Sequence, residues 1–407
     1  MEQHDISTDP QCPMELITDS FVRDPHPVLA AMREAAPAVP VDNRGYRMWV
    51  VTRYDDVRRI LASPRSFKDL VVRRRDLIAK VRMRNADPVK MADAARRSVF
   101  ERDGEDHSRL RALLAPEFTE QAVARRAPRI TELAETIAAD LPTGEPVDLL
   151  ARFIRPFVTR TIGEVVGLPE EDLGEFPRWV DLMHTGTTAE IGEAAMNMVE
   201  LSRRTIDHKR AHPGDDVYTR LVRMREEGRL DEDELVSTCM VLLIAGSEPN
   251  HSIANTLLML LRNPDQLALL RADLGRMDAA IAEGLRMESP FRILPPRFSD
   301  LPIELDGVVI PPLDLVVPSP ASANRDPGKF ADPDVFDIGR TAPASLAFGH
   351  GPHRCPGIVL GRLETKLALT ALLERFPAIS AAVPTDQLEW RPGFYMRRLE
   401  KFPVVLG

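Results

Sequence analysis

Residues 347–357, AFGHGPHRCPG, set one cysteine among three glycines and two prolines. A loop of this composition is stiff, and its glycines let the backbone come close to a bound group. Cys355 lies just before the apolar run IVLGRLETKLALTALLERF, which has helical spacing. There the positive end of a helix, with Arg354 and His353 nearby, favours a thiolate. A thiolate fixed in this way can serve as a nucleophile, a zinc ligand or a haem ligand. Zinc needs further cysteines or histidines at matching spacing, and Cys12 and Cys239 supply no such pattern. A nucleophile needs a paired base, for which His350 or His353 is the local candidate. A merely buried structural cysteine would leave the Phe-Gly framing unexplained.

The second unusual stretch is IAGSEPNHS, residues 244–252. It interrupts the best apolar helix of the chain with Gly246, Glu248 and Pro249. A proline inside a helix removes one backbone bond and clashes with the carbonyl four residues back, at a cost of roughly 3 kcal/mol. A carboxylate on so apolar a helix is also costly unless something uses it. The break therefore reads as a built feature.

The run Phe348-Gly349-x-Gly351-x-His353-x-Cys355-x-Gly357 resembles the haem-binding loop of the cytochrome P-450 family at every fixed position. The resemblance extends from about residue 20 to the C-terminus. It implies a haem b cofactor with Cys355 as thiolate ligand to the iron, donating electron density that favours O–O cleavage. It also implies that Phe348 and Gly349 pack around the thiolate and that His353 reaches a propionate. Glu283-Gly-Leu-Arg286 is similar to the family's E-x-x-R pair, with Arg286 lying 69 residues before Cys355, and its role would be structural. The family often adds a third, arginine partner in the segment resembling FADPDVF, where this chain has Val335. His107 and Arg111 fall one helical turn apart, and with Arg297 they resemble the family's propionate ligands.

Ala245-Gly246-Ser247-Glu248 matches the first four positions of the family's A-G-x-[D/E]-T groove for dioxygen, and Glu248 takes the place of the proton-feeding acid. The fifth position departs, since Pro249 stands where a threonine is usual. Asn250, Ser247 or a water would then substitute in the relay, or a hydroxyl of the substrate would. Otherwise the enzyme inserts no oxygen and couples substrate radicals into C–C or C–N bonds. The resemblance places Leu243, Ile293, Leu294, Tyr395 and Met396 around the substrate. It implies separate electron donors, a ferredoxin and its reductase, which Arg354, Arg362 and Lys366 would meet. It further suggests a soluble bacterial, particularly actinobacterial, tailoring monooxygenase of secondary metabolism. A non-catalytic haem sensor or recruitment partner is the remote alternative.

The elements that must position these residues are mostly helical. Apolar spacing predicts helices over 26–35, 117–140, 146–166, 191–211 and 231–262, with Asp231 and Asp233 capping the last and Asn263-Pro264 ending it. Strands are expected near 46–52 and between 301 and 320, where Asp306-Gly307 reads as a hairpin turn. The expected fold is therefore mainly α with a small β portion, the cytochrome P-450 fold. No linker or repeat divides the 407 residues, so a single domain with a flexible stretch over 1–20 is expected. A formal charge of −9 argues against a nucleic-acid partner. The stretches free of Asp, Glu, Lys and Arg on either side of Glu248 are 13 residues each, too short to cross a bilayer. Three cysteines form no disulfide framework and point to a reducing cytoplasm, and a monomer is expected. Residues 65–97 hold eleven Lys or Arg against four Asp or Glu; they would form the lid, where one of Arg73, Arg74, Arg75, Arg82 or Arg84 would orient a polar substrate.

Overall fold

The computed structural model describes residue 9 and residues 14–43, 46–69, 97–341 and 344–407. Cys12 and the basic run from Arg73 to Arg84 lie outside the described residues.

The long apolar sequence 231–262 folds as two helices, Glu232–Gly246 and Pro249–Arg262, separated by Ser247 and Glu248. Asp231 caps the first: its side chain accepts from the Glu234 N–H, and Glu234 returns a bond to the Asp231 N–H. This reciprocal arrangement satisfies two otherwise orphaned donors. Asp233 instead lies in the first turn, 3.3 Å from Arg97. Asn263 ends the second helix and Pro264 begins a further one, Pro264–Ala272. Around this axis pack the helices Arg155–Val166, Thr188–Ala211, Met277–Met287 and Ile358–Arg375. Together they bury one large apolar cluster that includes Leu243, Ile253, Leu257 and Leu369.

Three expected elements differ. The stretch 117–140 is interrupted at Arg125 and Arg126, giving helices Glu120–Ala124 and Ala127–Ala139. The stretch 146–166 opens as a strand, Pro146–Asp148, because Val147 pairs with Val404 across the C-terminal strand. Residues 14–20 are held rather than free: Met14–Glu15 pairs in parallel with Val41 and Asp42, and Leu16 is buried in the sheet-side core.

The main sheet runs in the order Met14–Glu15, Ala38–Asn43, Tyr46–Val51, Leu315–Pro318. Asp306 and Gly307, with φ of 38° and 83°, turn the hairpin between Ile303–Leu305 and Val308–Ile310. Two successive positive φ angles are what a two-residue hairpin with right-handed strand twist requires. Among the described residues no helix is long and apolar enough to cross a membrane.

Candidate functional site

Cys355 stands at the head of helix Ile358–Arg375, and its N–H donates to the Phe348 carbonyl at 2.9 Å, closing the loop on itself. Phe348 packs its ring against the helical core. Gly349 and Gly351 have φ of 71° and 72°, the left-handed region where a side chain is strained. At Gly351 the demand is doubled, because an added Cβ would lie 2.3 Å from the Leu61 carbonyl oxygen. The loop is thus pressed against the end of helix Tyr54–Ala62. Burial pushes the Cys355 thiol up; the Gly357 N–H, Arg111 and Arg354 pull the other way and lose. Of the two histidines nearest Cys355 in sequence, His353 is engaged elsewhere: it bonds to Asp103 at 3.0 Å and packs at a tilt against His107, 4.1 Å between ring centres. Among the described residues no group of three or more His, Cys, Asp or Glu could hold a metal ion.

Beside the loop lies a buried knot of cations. Helix Gly104–Leu114 carries His107 inward and Arg111 one turn on, half-buried. Arg297 is buried and donates to the Ser66 carbonyl at 3.3 Å. Lys68, also buried, sits with its ammonium 3.3 Å from the centre of the Phe100 ring. Burial, then Arg297, pulls Lys68 down to about 7. Burial likewise lowers Arg297 to about 10, and lowers His107, on which Arg111, Lys68 and Arg297 also press. His353 falls to about 4, chiefly by burial. Two carboxylates act on this group, Glu101 on Lys68 and Asp103, which also accepts the backbone N–H groups of Lys68 (2.6 Å) and Asp69 (2.9 Å). Cations gathered in excess of their carboxylates cost free energy unless an anion completes the set.

The break in the central helix lies against the same cysteine helix: a Cβ added at Gly361 would meet Pro249 Cγ at 3.8 Å. Pro249 has no N–H, and the turn tightens, with Glu248 N–H reaching Ala245 at 3.2 Å and Asn250 N–H reaching Ser247 rather than Gly246 at 3.4 Å. Gly246 is small for a packing reason, since a Cβ there would collide with Ile162 at 2.2 Å. Ser247 spends its hydroxyl proton on the Leu243 carbonyl at 3.0 Å. Asn250 donates to the Ser247 carbonyl at 2.7 Å, and its Oδ1 is buried without a partner. Glu248 Oε1 lies 3.3 Å from His184 Nε2, and Oε2 lies 3.8 Å from His251 Nε2.

The sequence profile of the Cytochrome P450 family matches residues 164–400. The cytochrome P450 monooxygenase PikC of Streptomyces venezuelae is 37% identical over 99% of this chain and 96% of its own length. The 6-deoxyerythronolide B hydroxylase of Saccharopolyspora erythraea is 34% identical over 96% of this chain and 98% of its own. The tirandamycin C-bound P450 monooxygenase TamI superposes with a TM-score of 0.90 at 35% identity, covering 97% of this chain and 100% of that one. The chain belongs to the cytochrome P450 family. Its relatives act as monooxygenases and hydroxylases, and this P450 is likewise an enzyme, a monooxygenase or oxidase of the same fold.

Members of the family use haem and dioxygen. The residues present fit that group: Arg111 and Arg297, with Lys68 and the hydrogen-bonding imidazoles of His107 and His353, match the two propionate carboxylates that haem carries. Behind it, Glu283 and Arg286 of this P450 form a buried two-bond pair, both at 2.7 Å. Arg286 also donates to the carbonyls of Asn324, Pro333 and Val335. Val335 does not leave the pair without a third member, because Arg340 reaches Glu283 Oε1 at 3.0 Å from five residues further on. Asn324 ties this scaffold to the loop, donating to Ser289 (2.8 Å) and accepting from the Leu346 N–H (2.6 Å).

The structure brings the segment 291–297 and the turn at 394–396 together, with the Arg292 and Ile293 N–H groups both donating to the Tyr395 carbonyl. Leu243 and Ile293 are fully buried and Met396 nearly so, while Leu294 and Tyr395 are half-buried. Sequence reasoning missed Lys68, Asp103, His184 and Arg340. Only Asp103 left a local signal, as a capping residue type before Gly104, and its side chain is spent on the 68–69 backbone instead.

Proposed function

We propose that this enzyme binds haem b and, as a cytoplasmic monomer, oxygenates a small secondary metabolite with electrons from a ferredoxin and its reductase. The observation that carries the reading is Cys355, turned to the head of its helix with buried cations on one side and the broken central helix facing its first turns. Bound haem supplies the redox chemistry by which dioxygen attacks an unactivated bond. In this reading Cys355 would supply the thiolate that holds the haem iron, and Phe348, Gly349 and the Gly357 N–H would fix and temper it. His107, Arg111, Arg297 and His353, with Lys68, hold the propionates. Glu248 delivers protons from the distal side, while Ala245, Gly246, Ser247, Pro249 and Asn250 shape the groove. Leu243, Ile293, Leu294, Tyr395 and Met396 border the substrate.

Arg354 is exposed and has no ion-pair partner among the described residues, so it is the cation offered to an acidic ferredoxin. Lys366 is spent on Asp278 at 2.9 Å, and Arg362 donates to the Asp278 carbonyl. Pro249 favours a second reading, radical coupling without oxygen insertion, because no hydroxyl stands beside the groove at that position. The test of the first reading is spectroscopic. Reduced, CO-treated wild type should show the red-shifted Soret band of thiolate-ligated haem, and Cys355→His should lose it while still binding haem. A wild type that binds haem without that band would sink the assignment.

A further inference from the structure

Glu248 is reached from the neighbouring helix, Phe176–Thr185, by His184. The two side chains are 22% and 19% exposed, so each has an edge toward solvent and a face toward the protein. They stand at ion-pair distance but off the hydrogen-bond line, and His184 Nε2 and Glu248 Oε2 are both buried without a hydrogen-bond partner.

The groups facing this pair come from four elements. Helix Phe176–Thr185 adds Asp181, one turn before His184. Helix Pro249–Arg262 adds His251, and the segment before the C-terminal strand adds Arg391 and Arg398. Helix Arg155–Val166 adds Arg155, close enough to act on His251. Asp181 is held by Arg391 at 3.0 Å and Arg398 at 3.6 Å. Guanidinium groups do not release protons. Burial, followed by Arg398 and His184, holds His251 neutral well below the usual imidazole range.

We propose that His184 is the proton carrier for Glu248: the imidazolium Nε2–H bond breaks, an O–H bond forms on a Glu248 carboxylate oxygen, and the neutral ring, left with its proton on Nδ1, turns to take a new proton from water on Nε2 before it returns. The step rests on the reading of Glu248 as the distal acid and adds a named donor to it. With Pro249 in place of a hydroxyl residue, the pair supplies the proton from a second helix. It also couples delivery to the position of helix Phe176–Thr185, since His184 and Asp181 both anchor that helix toward the core.

Two measurements test this. In CO-bound, haem-loaded protein labelled with 15N-histidine, Glu248→Gln should move the His184 Nε2 resonance, because the carboxylate 3.3 Å from that nitrogen is gone. An unchanged resonance overturns the proposal without reference to turnover. With ferredoxin, its reductase and NADPH, His184→Gln should cut dioxygen consumption by roughly tenfold to a hundredfold and raise its solvent deuterium isotope effect. His184→Arg keeps the cation and the ion pair but cannot give up a proton to the carboxylate, so it should show the same defect. If Glu248→Gln raises the isotope effect while both His184 variants match wild type, the acid assignment stands and the carrier is overturned. If none of the three changes it, the acid assignment fails as well.

Discussion

Gly351 shows how much of this site is decided by single backbone positions. Its φ of 72° disfavours any side chain, and the Leu61 carbonyl occupies the space a Cβ would need. Gly351→Ala should therefore lose about 2–3 kcal/mol in denaturant unfolding and load haem poorly. Gly349 shares the conformation, but an added Cβ would have 3.9 Å to its nearest neighbour. Gly349→Ala should thus cost less, and equal losses at the two positions would contradict this packing argument. Both glycines were visible in the sequence as part of a rigid loop. That only one is also a steric contact was not, since Leu61 lies 290 residues earlier. The same holds for Cys355, whose sequence neighbours argue for a thiolate while burial, invisible locally, pushes the thiol up.

At the scale of elements, Glu283 and Arg286 lock helix Met277–Met287 to the loop 324–340. Each is at most 5% exposed, and Glu283 accepts from two arginines and from the Asp337 N–H. Removing one member of a buried pair leaves the other charge uncompensated. Glu283→Gln should therefore destabilise by about 3–5 kcal/mol. Arg340→Ala should cost about 1.5–3 kcal/mol, the loss of one charge-assisted bond. A thermal or denaturant melt checks both, and the order of the two effects is the discriminating result. The pair itself was legible because residues three apart share a helix face. Its partner was not, because a loop and not a helix sets the distance from Val335 to Arg340. The central helix behaves similarly: its caps and its break follow from Asp231, Pro249 and Asn263, whereas the strand Pro146–Asp148 depends on pairing with a segment at the other end of the chain.

For the whole molecule, charges buried far from the haem site set the response to acid. Glu288, fully buried, is drawn well below the usual carboxylate range by Arg397 and His26 against the cost of its burial. Burial and Arg325 lower His26 from its ordinary 6.5. Both shifts carry the same sign. A carboxyl with a depressed folded pKa stabilises above its unfolded value and loses that contribution as pH falls toward the folded one. A histidine held neutral takes up its proton more readily when unfolded, so it too favours unfolding as pH drops below about 6.5. Stability should decline from there and continue to fall through the carboxylate range. Glu288→Gln should be less stable at neutral pH and lose less between about pH 4.5 and lower values; a parallel curve would contradict the assignment.

The central claim, that Cys355 anchors a monooxygenase, is tested most directly by product mass in the producing organism grown under 18O-labelled dioxygen, with wild type beside Cys355→Ala. The account predicts that the variant accumulates a precursor and that wild type yields a product one labelled oxygen heavier. A wild-type product lacking the label, with hydrogens lost or two fragments joined, would contradict oxygen insertion and assign Pro249 to a radical-coupling oxidase.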